Sequence, residues 1–221
     1  MILDFKFTNY RSYKNKAVFS MQAESAKSET NNLIEFENTA GQQFKILKAA
    51  IVYGPNASGK SNLIKAILDV IDFIVNRPIV DTPIRLYKPF KFEKQTKSHP
   101  SSIEITFLGP KKIKYNLKFQ IQENQVISES LDYYPNNRKS NIYFRDEDTN
   151  EKNLQENDNT TVIIKYRKKE FTIFKNQLFL SRFAEDPDDI LTPVYQYFRN
   201  NYGSSLRKDN AAIQAEISKN Y

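Results

Sequence analysis

Apolar and polar positions alternate from the start of the chain. Residues 2–8, ILDFKFT, have period two and predict a strand, and AVFSMQA at 17–23 predicts another, with NYRSYKNK as the turn between them. Residues 44–53, FKILKAAIVY, end in a nearly continuous apolar run, the pattern of a strand buried on both faces. Gly54 breaks it. From Gly59 to about Asn76 the residues Leu63, Ile64, Ile67, Leu68, Ile71, Ile74 and Val75 recur at three and four, which predicts an amphipathic helix stopped by Arg77-Pro78. Six strand candidates then follow at 102–108, 112–121, 126–134, 141–144, 161–166 and 170–174, joined by polar turns such as YPNNRKS. The stretch 145–160 is highly polar and reads as a mobile loop. NQLFLSRFA and ILTPVYQYFRNNY read as helical. RKDNAAIQAEISKNY is a further helix candidate with only Ile213 and Ile217 for an apolar face. No internal repeat is visible.

Composition narrows the function classes. With 39% hydrophobic and 13% aromatic residues over 221 positions, the chain can build a core. Cysteine is absent, which excludes disulfides and thiolate metal sites. The single histidine, His99, sits beside Pro100 in a polar stretch without convergent partners, so a zinc or His-dependent hydrolase is not expected. The N-terminus alternates and carries charge, unlike a signal peptide. The most apolar helix candidate, LIKAILDVIDFIV, holds Lys65, Asp69 and Asp72 and is too short to span a bilayer. A cytoplasmic protein without a membrane partner is the expectation. The net charge of +7 leans toward an acidic partner. The basic runs at 110–114 and 165–170 could meet nucleic-acid phosphates, but solvated strand edges explain each of them more simply.

The chemistry concentrates in GPNASGKS, Gly54 to Ser61, which fits G-x-x-x-x-G-K-[ST] between a predicted strand and a predicted helix. Gly54 and Gly59 let the backbone bend so that successive loop N–H groups, those of Ala57 and Ser58 among them, form an anion nest. The helix N-terminus adds the positive end of its dipole. Lys60 is expected to bridge the β- and γ-phosphates of ATP and the Ser61 hydroxyl to ligate Mg²⁺. A Walker B strand, four apolar residues and an acid, does not follow. IKAILD ends at Asp69 inside the first helix, where it cannot face the phosphates. VISESLD ends at Asp132 in a charged strand, and DPDD at 186–189 has no apolar strand before it. The guanine-reading N-K-x-D is missing as well. The sequence thus displays the parts to bind a nucleotide, and no catalytic residue to cleave it.

FTNYRSYKNKAVFSM, YGPNASGKSNLIKAI, PSSIEITF, LDYYP and FLSRFA…LTPVYQYFRNNY together resemble the N-terminal half of ABC-type, SMC/RecF-like ATPases. The nearer likeness is to bacterial AAA family ATPases related to OLD-family and abortive-infection ATPases, over residues 1 to about 202. The resemblance implies an α/β P-loop fold. Residues 1–77 would hold the N-terminal strands, loop and first helix, 78–175 a β-meander subdomain, and 176–221 a helical segment of one incomplete ATPase head. It implies that Arg11 and Ser12 approach the phosphates, that Asn56 belongs to the loop signature, and that Asn62 follows the Mg²⁺-binding hydroxyl. The Q-loop glutamine has no clear counterpart, Gln95 being a poor match. Signature motif, Walker B pair and switch His come later in that family, beyond this sequence, either in a longer chain or in a separate polypeptide.

By that resemblance two heads sandwich ATP, and the assembly works beside a nuclease or toxin effector in phage defence, with DNA a possible partner. A small P-loop kinase is the alternative, but an Arg-rich lid helix should then follow the loop, and strands stand there instead. A nucleic-acid module with a degenerate loop is a third reading, and the intact Lys60-Ser61 pair argues against it.

Overall fold

The computed structural model describes residues 1–23, 30–38, 41–146 and 160–202. Its centre is a six-stranded antiparallel sheet built from β1 (Ile2–Thr8), β2 (Ala17–Ser20), β5 (Ser101–Leu108), β6 (Lys114–Gln122), β7 (Gln125–Tyr134) and β8 (Ser140–Arg145), in the order β2-β1-β5-β6-β7-β8. A hairpin of β3 (Leu33–Glu37) and β4 (Gln43–Leu47) and another of β9 (Thr161–Tyr166) and β10 (Lys169–Phe174) stand apart from it as two-stranded sheets. The helices are α1 (Lys60–Val75), the short α2 (Phe179–Arg182) and α3 (Leu191–Asn201). No helix among the described residues is long and apolar enough to cross a membrane.

Period-two patterning decides which sheet face is covered. The register sets Phe5, Ile105, Leu117, Leu131 and Tyr143 in one cross-strand row and Phe7, Ile103, Phe119, Glu129 and Arg145 in the next. These residues are all buried, and α1 packs on them through Ala66, Val70, Phe73 and Ile74. The Phe73 and Phe119 rings lie 5.8 Å apart. The intervening row, Lys6, Glu104, Lys118, Ser130 and Phe144, lies on the opposite face. β1 therefore pairs directly with the first meander strand, and N-terminal and meander segments share one sheet.

One pair in the core is charged. Glu129 and Arg145 face each other across β7 and β8 and are almost wholly buried. Glu129 accepts the amides of Phe179 at 2.8 Å and Leu180 at 3.4 Å and the Tyr143 hydroxyl, while Arg145 donates to the carbonyls of Gln177 and Lys175 at 2.9 and 3.0 Å. The pair joins the end of the sheet to the start of α2. Asp188 similarly starts α3, its Oδ1 accepting the amides of Ile190 and Leu191 at 2.9 and 2.7 Å.

Most predicted elements appear where the patterning placed them, including all six later strands and α1. Two expectations fail. The strand expected over 44–53 ends at Leu47, and its second half is neither paired nor buried: Ile51 is 89% and Tyr53 90% exposed. A strand covered on both faces needs strands beside it and helices above and below. Among the described residues no strand flanks 49–53, while β4 bonds β3 on one edge and residues 21–23 on the other, the Ala23 amide donating to the Lys45 carbonyl and the Leu47 amide to the Met21 carbonyl. The apolar stripe of α1 is likewise only partly covered, with Ile64 and Leu68 exposed. The expected loop at 145–160 and the last helix candidate fall, after Asp146 and Tyr202, outside the described residues apart from Thr160.

Candidate functional site

Gly54 to Ser58 form an exposed loop that enters α1 through Gly59. Gly59 has φ +96°, and a Cβ there would lie 3.0 Å from Ser12 Oγ and 3.2 Å from the Tyr13 hydroxyl. Only glycine combines that backbone with that proximity. Gly54, at φ +154°, likewise brings Ser58 Oγ within 3.2 Å of a would-be Cβ. Ala57 also takes positive φ, and the Ser58 amide closes a turn onto the Pro55 carbonyl at 3.3 Å. No side chain caps α1, so the leading amides of the helix are available to an anion. Lys60 Nζ curls over the loop and donates to the carbonyls of Gly54 and Pro55 at 2.8 and 2.7 Å. The cation thus sits against the backbone of the loop. The Ser61 hydroxyl, one residue further and exposed, is a fitting hard-oxygen donor for Mg²⁺.

The turn after β1 closes the other side of this site. Asn9, buried at positive φ, holds it in place. Its side-chain amide donates to the carbonyls of Thr96 and His99 at 2.8 and 2.9 Å, and its Oδ1 accepts the Phe90 amide at 2.9 Å. The turn then lies along α1: Asn62 Nδ2 donates to Ser12 Oγ at 2.9 Å, and the Tyr13 hydroxyl donates to the Gly59 carbonyl at 3.3 Å. Ser12 thus meets Gly59 and Asn62, distant from it in sequence, at the helix start.

Arg11 is placed differently. Its φ is +50°, its amide donates to the Lys88 carbonyl at 2.6 Å, and its Nη2 lies 3.8 Å from Asp69 Oδ2 on α1. The same carboxylate oxygen accepts the Tyr10 hydroxyl at 2.7 Å and Lys88 Nζ at 2.5 Å. Burial first, and then the hydrogen bond to Asp69, push the Tyr10 phenol above its ordinary range. Asn56 stays on the exposed loop, and His99 and Gln95 are exposed as well.

Tyr10, Tyr13 and Lys88 are neighbours of this site that sequence reasoning did not single out, and Asp69, set aside as a Walker B acid, is another. One signal was available: Asn62 and Asp69 are seven apart, so a helix puts both on one face. Lys88 has no comparable signal.

The remaining acids are engaged elsewhere. Asp132 is buried and bound by Asn141 at 2.9 Å and Lys139 at 3.1 Å. Asp186 pairs with Arg182, Asp188 caps α3, and Asp189 pairs with Arg167. Among the described residues no group of three or more His, Cys, Asp or Glu could hold a metal. The basic run at 165–170 is the β9–β10 hairpin itself. Arg167 and Lys168 form its turn at positive φ, and Lys165 pairs with Glu170 at 3.4 Å.

Residues 49–215 match the family described as an AAA domain, putative AbiEii toxin, Type IV TA system. No individual curated protein matches the chain. The match covers most of the sequence and includes the whole Gly54–Ser61 loop, and the chain belongs to this P-loop ATPase family, which is related to abortive-infection ATPases.

Proposed function

We propose that this chain is the ATP-binding half of an ABC-type ATPase head, in which ATP gates the pairing of two heads and so controls a nuclease or toxin effector in bacterial anti-phage defence. The observation that carries the reading is the loop Gly54–Ser61 opening an uncapped helix while Lys60 lies over the loop, its Nζ on the Gly54 and Pro55 carbonyls. The loop and helix amides bind the phosphates, Lys60 bridges the β- and γ-positions, and Arg11, Ser12, Asn56 and Asn62 line the rim. Mg²⁺ held at Ser61 would neutralise the β- and γ-oxygens.

The residues that position water and complete the metal shell are supplied by another polypeptide segment, because Asp132 and Asp186–Asp189 are occupied in structural contacts. The exposed run Ile51, Val52 and Tyr53 beside Ile64 and Leu68 is where such a segment packs. Isothermal titration with ATP and Mg²⁺ tests the reading. Lys60→Ala removes a charge-assisted contact worth roughly 1.5–3 kcal/mol, and equal affinity in variant and parent overturns it. Phosphate release by the 221-residue chain should stay near background. Turnover of about 1 s⁻¹ or more that Lys60→Ala abolishes would show an acid site within this chain.

A further inference from the structure

Asp69, on α1, is held against the Tyr10–Tyr13 turn, and it faces two cations. Arg11 and Lys88 both converge on its Oδ2, at 3.8 and 2.5 Å, and the Tyr10 hydroxyl donates to the same oxygen at 2.7 Å. The contacts are unequal. Lys88 and Tyr10 make short hydrogen bonds to the carboxylate, whereas Arg11 makes a loose ion pair with it, donates its Nε to the Tyr10 hydroxyl at 3.0 Å and rests its guanidinium 5.5 Å from the centre of the Tyr10 ring. Asp69 also lies nine residues along α1 from Lys60, a rise of about 13 Å at 1.5 Å per residue. Ser12, the next residue, reaches Asn62 near the helix start. The backbone of Arg11 is thus beside the cradle while its guanidinium points down the helix, away from the phosphate end. A non-glycine residue at φ +50° is held in that posture by its surroundings.

We infer that Asp69 is a latch that parks Arg11 away from the phosphates, and that ATP binding transfers the guanidinium from the Asp69 carboxylate to the nucleotide. The inference rests on the reading of Gly54–Ser61 as a phosphate loop. Release of Arg11 does not strand the carboxylate, since Lys88 and Tyr10 keep Asp69 bound. A partly exposed pair at 3.8 Å, with one neutral hydrogen bond from Arg11 Nε to the Tyr10 hydroxyl beside it, is weak enough to exchange, and a phosphate group is a stronger, bidentate acceptor for arginine. Asp69 acts through Arg11 and is therefore a positioning residue.

The test is a double-mutant cycle on the full 221-residue chain, read by titration with ATP and ADP in the presence of Mg²⁺. Asp69→Asn should tighten ATP binding about threefold, the scale of one exposed ion pair. In an Arg11→Gln background the same substitution should change affinity little. Lys88→Gln, which leaves Arg11 as the only cation on Asp69, should weaken ATP binding with Arg11 present and much less without it. This arm serves if Asp69→Asn fails to fold. Equal Asp69→Asn effects in both backgrounds would reduce Asp69 to a diffuse field and overturn the latch. Weaker ATP binding by a folded Asp69→Asn chain would overturn it too. If the parent chain does not bind ATP, or Lys60→Ala binds it equally well, the phosphate-loop reading fails and takes the latch with it. Intact Lys60 dependence without Arg11–Asp69 coupling removes the latch alone.

Discussion

The two ends of α1 show opposite solutions to the same problem. At its C-terminal end the helix lies on a sheet whose rows interlock, and even the charged groups are satisfied: Glu129 has Tyr143 and two amides, and Arg145 has two carbonyls. At its N-terminal end the loop is exposed, the residues before it are apolar and uncovered, and the leading amides are uncapped. The first region pairs its charges within the described residues, although the buried side-chain amide of Gln177 finds no hydrogen-bond partner. The second presents donors and apolar surface to something else. A binding site needs unsatisfied groups, and stability needs satisfied ones.

The sharpest way to break this contrast is in the sheet. Removing one member of a buried pair leaves the other charge uncompensated, typically at a cost of about 3–5 kcal/mol. Arg145→Met should therefore lower the urea midpoint by far more than any change at the loop. A small shift would mean that Glu129 finds another partner or simply takes up a proton. The pH dependence refines the point. Burial is the largest influence on Glu129 and pushes its carboxyl above the usual range, against Arg145, Tyr143 and the two amides. The folded chain therefore holds this proton to higher pH than the unfolded chain. Its contribution to stability is full below the unfolded carboxyl range, near about 4.3, and is lost as pH rises through the folded value. Glu129→Gln should flatten that part of the curve of stability against pH, and an unchanged slope would assign it to other groups.

Gly59→Ala comes next in size, because it strikes both regions. The added methyl meets Ser12 Oγ and Tyr13 at φ +96°, and left-handed backbone costs a non-glycine residue roughly 1–2 kcal/mol. Thermal unfolding should show that loss, and titration should show ATP binding weakened beyond it, since the Cβ pushes the Tyr10–Tyr13 turn off the helix start. Stability lost with unchanged nucleotide affinity would separate the turn from the site.

What the sequence reveals follows the same division. The sheet was readable because period-two alternation is a local signal and its partners lie within the described residues: Phe5, Phe7, Ile103 and Ile105 announce a covered face, and the register covers it. The loop was readable because its spacing carries the chemistry. AAIVY before the loop was misread because apolar character says that a segment is to be covered, while the covering strands are non-local. Lys88 escaped notice, and Asp69 was weighed only as a Walker B acid, for a related reason. Nothing in Lys88 says that it will reach a helix nineteen residues earlier in the chain, and Asp69 became informative only once the Tyr10–Tyr13 turn was laid along α1.

The smallest expected effect is the most discriminating. Tyr53 is 90% exposed and Ile51 89%, so replacing either by serine should change the unfolding free energy of the isolated chain by no more than about 0.5 kcal/mol, the usual range for a surface position. Ile105→Ala, by contrast, should cost about 2–5 kcal/mol as a cavity in the core. Equal apolar character would thus give unequal penalties, set by whether the residue is covered. Urea unfolding of the three variants at several protein concentrations measures this. A loss at Tyr53→Ser approaching that of Ile105→Ala would mean the AAIVY segment is buried in solution. If that loss grew with protein concentration, the cover would be a second copy of the chain. A silent Tyr53→Ser whose chain is more soluble than the parent is the result expected of an apolar strand awaiting its neighbours.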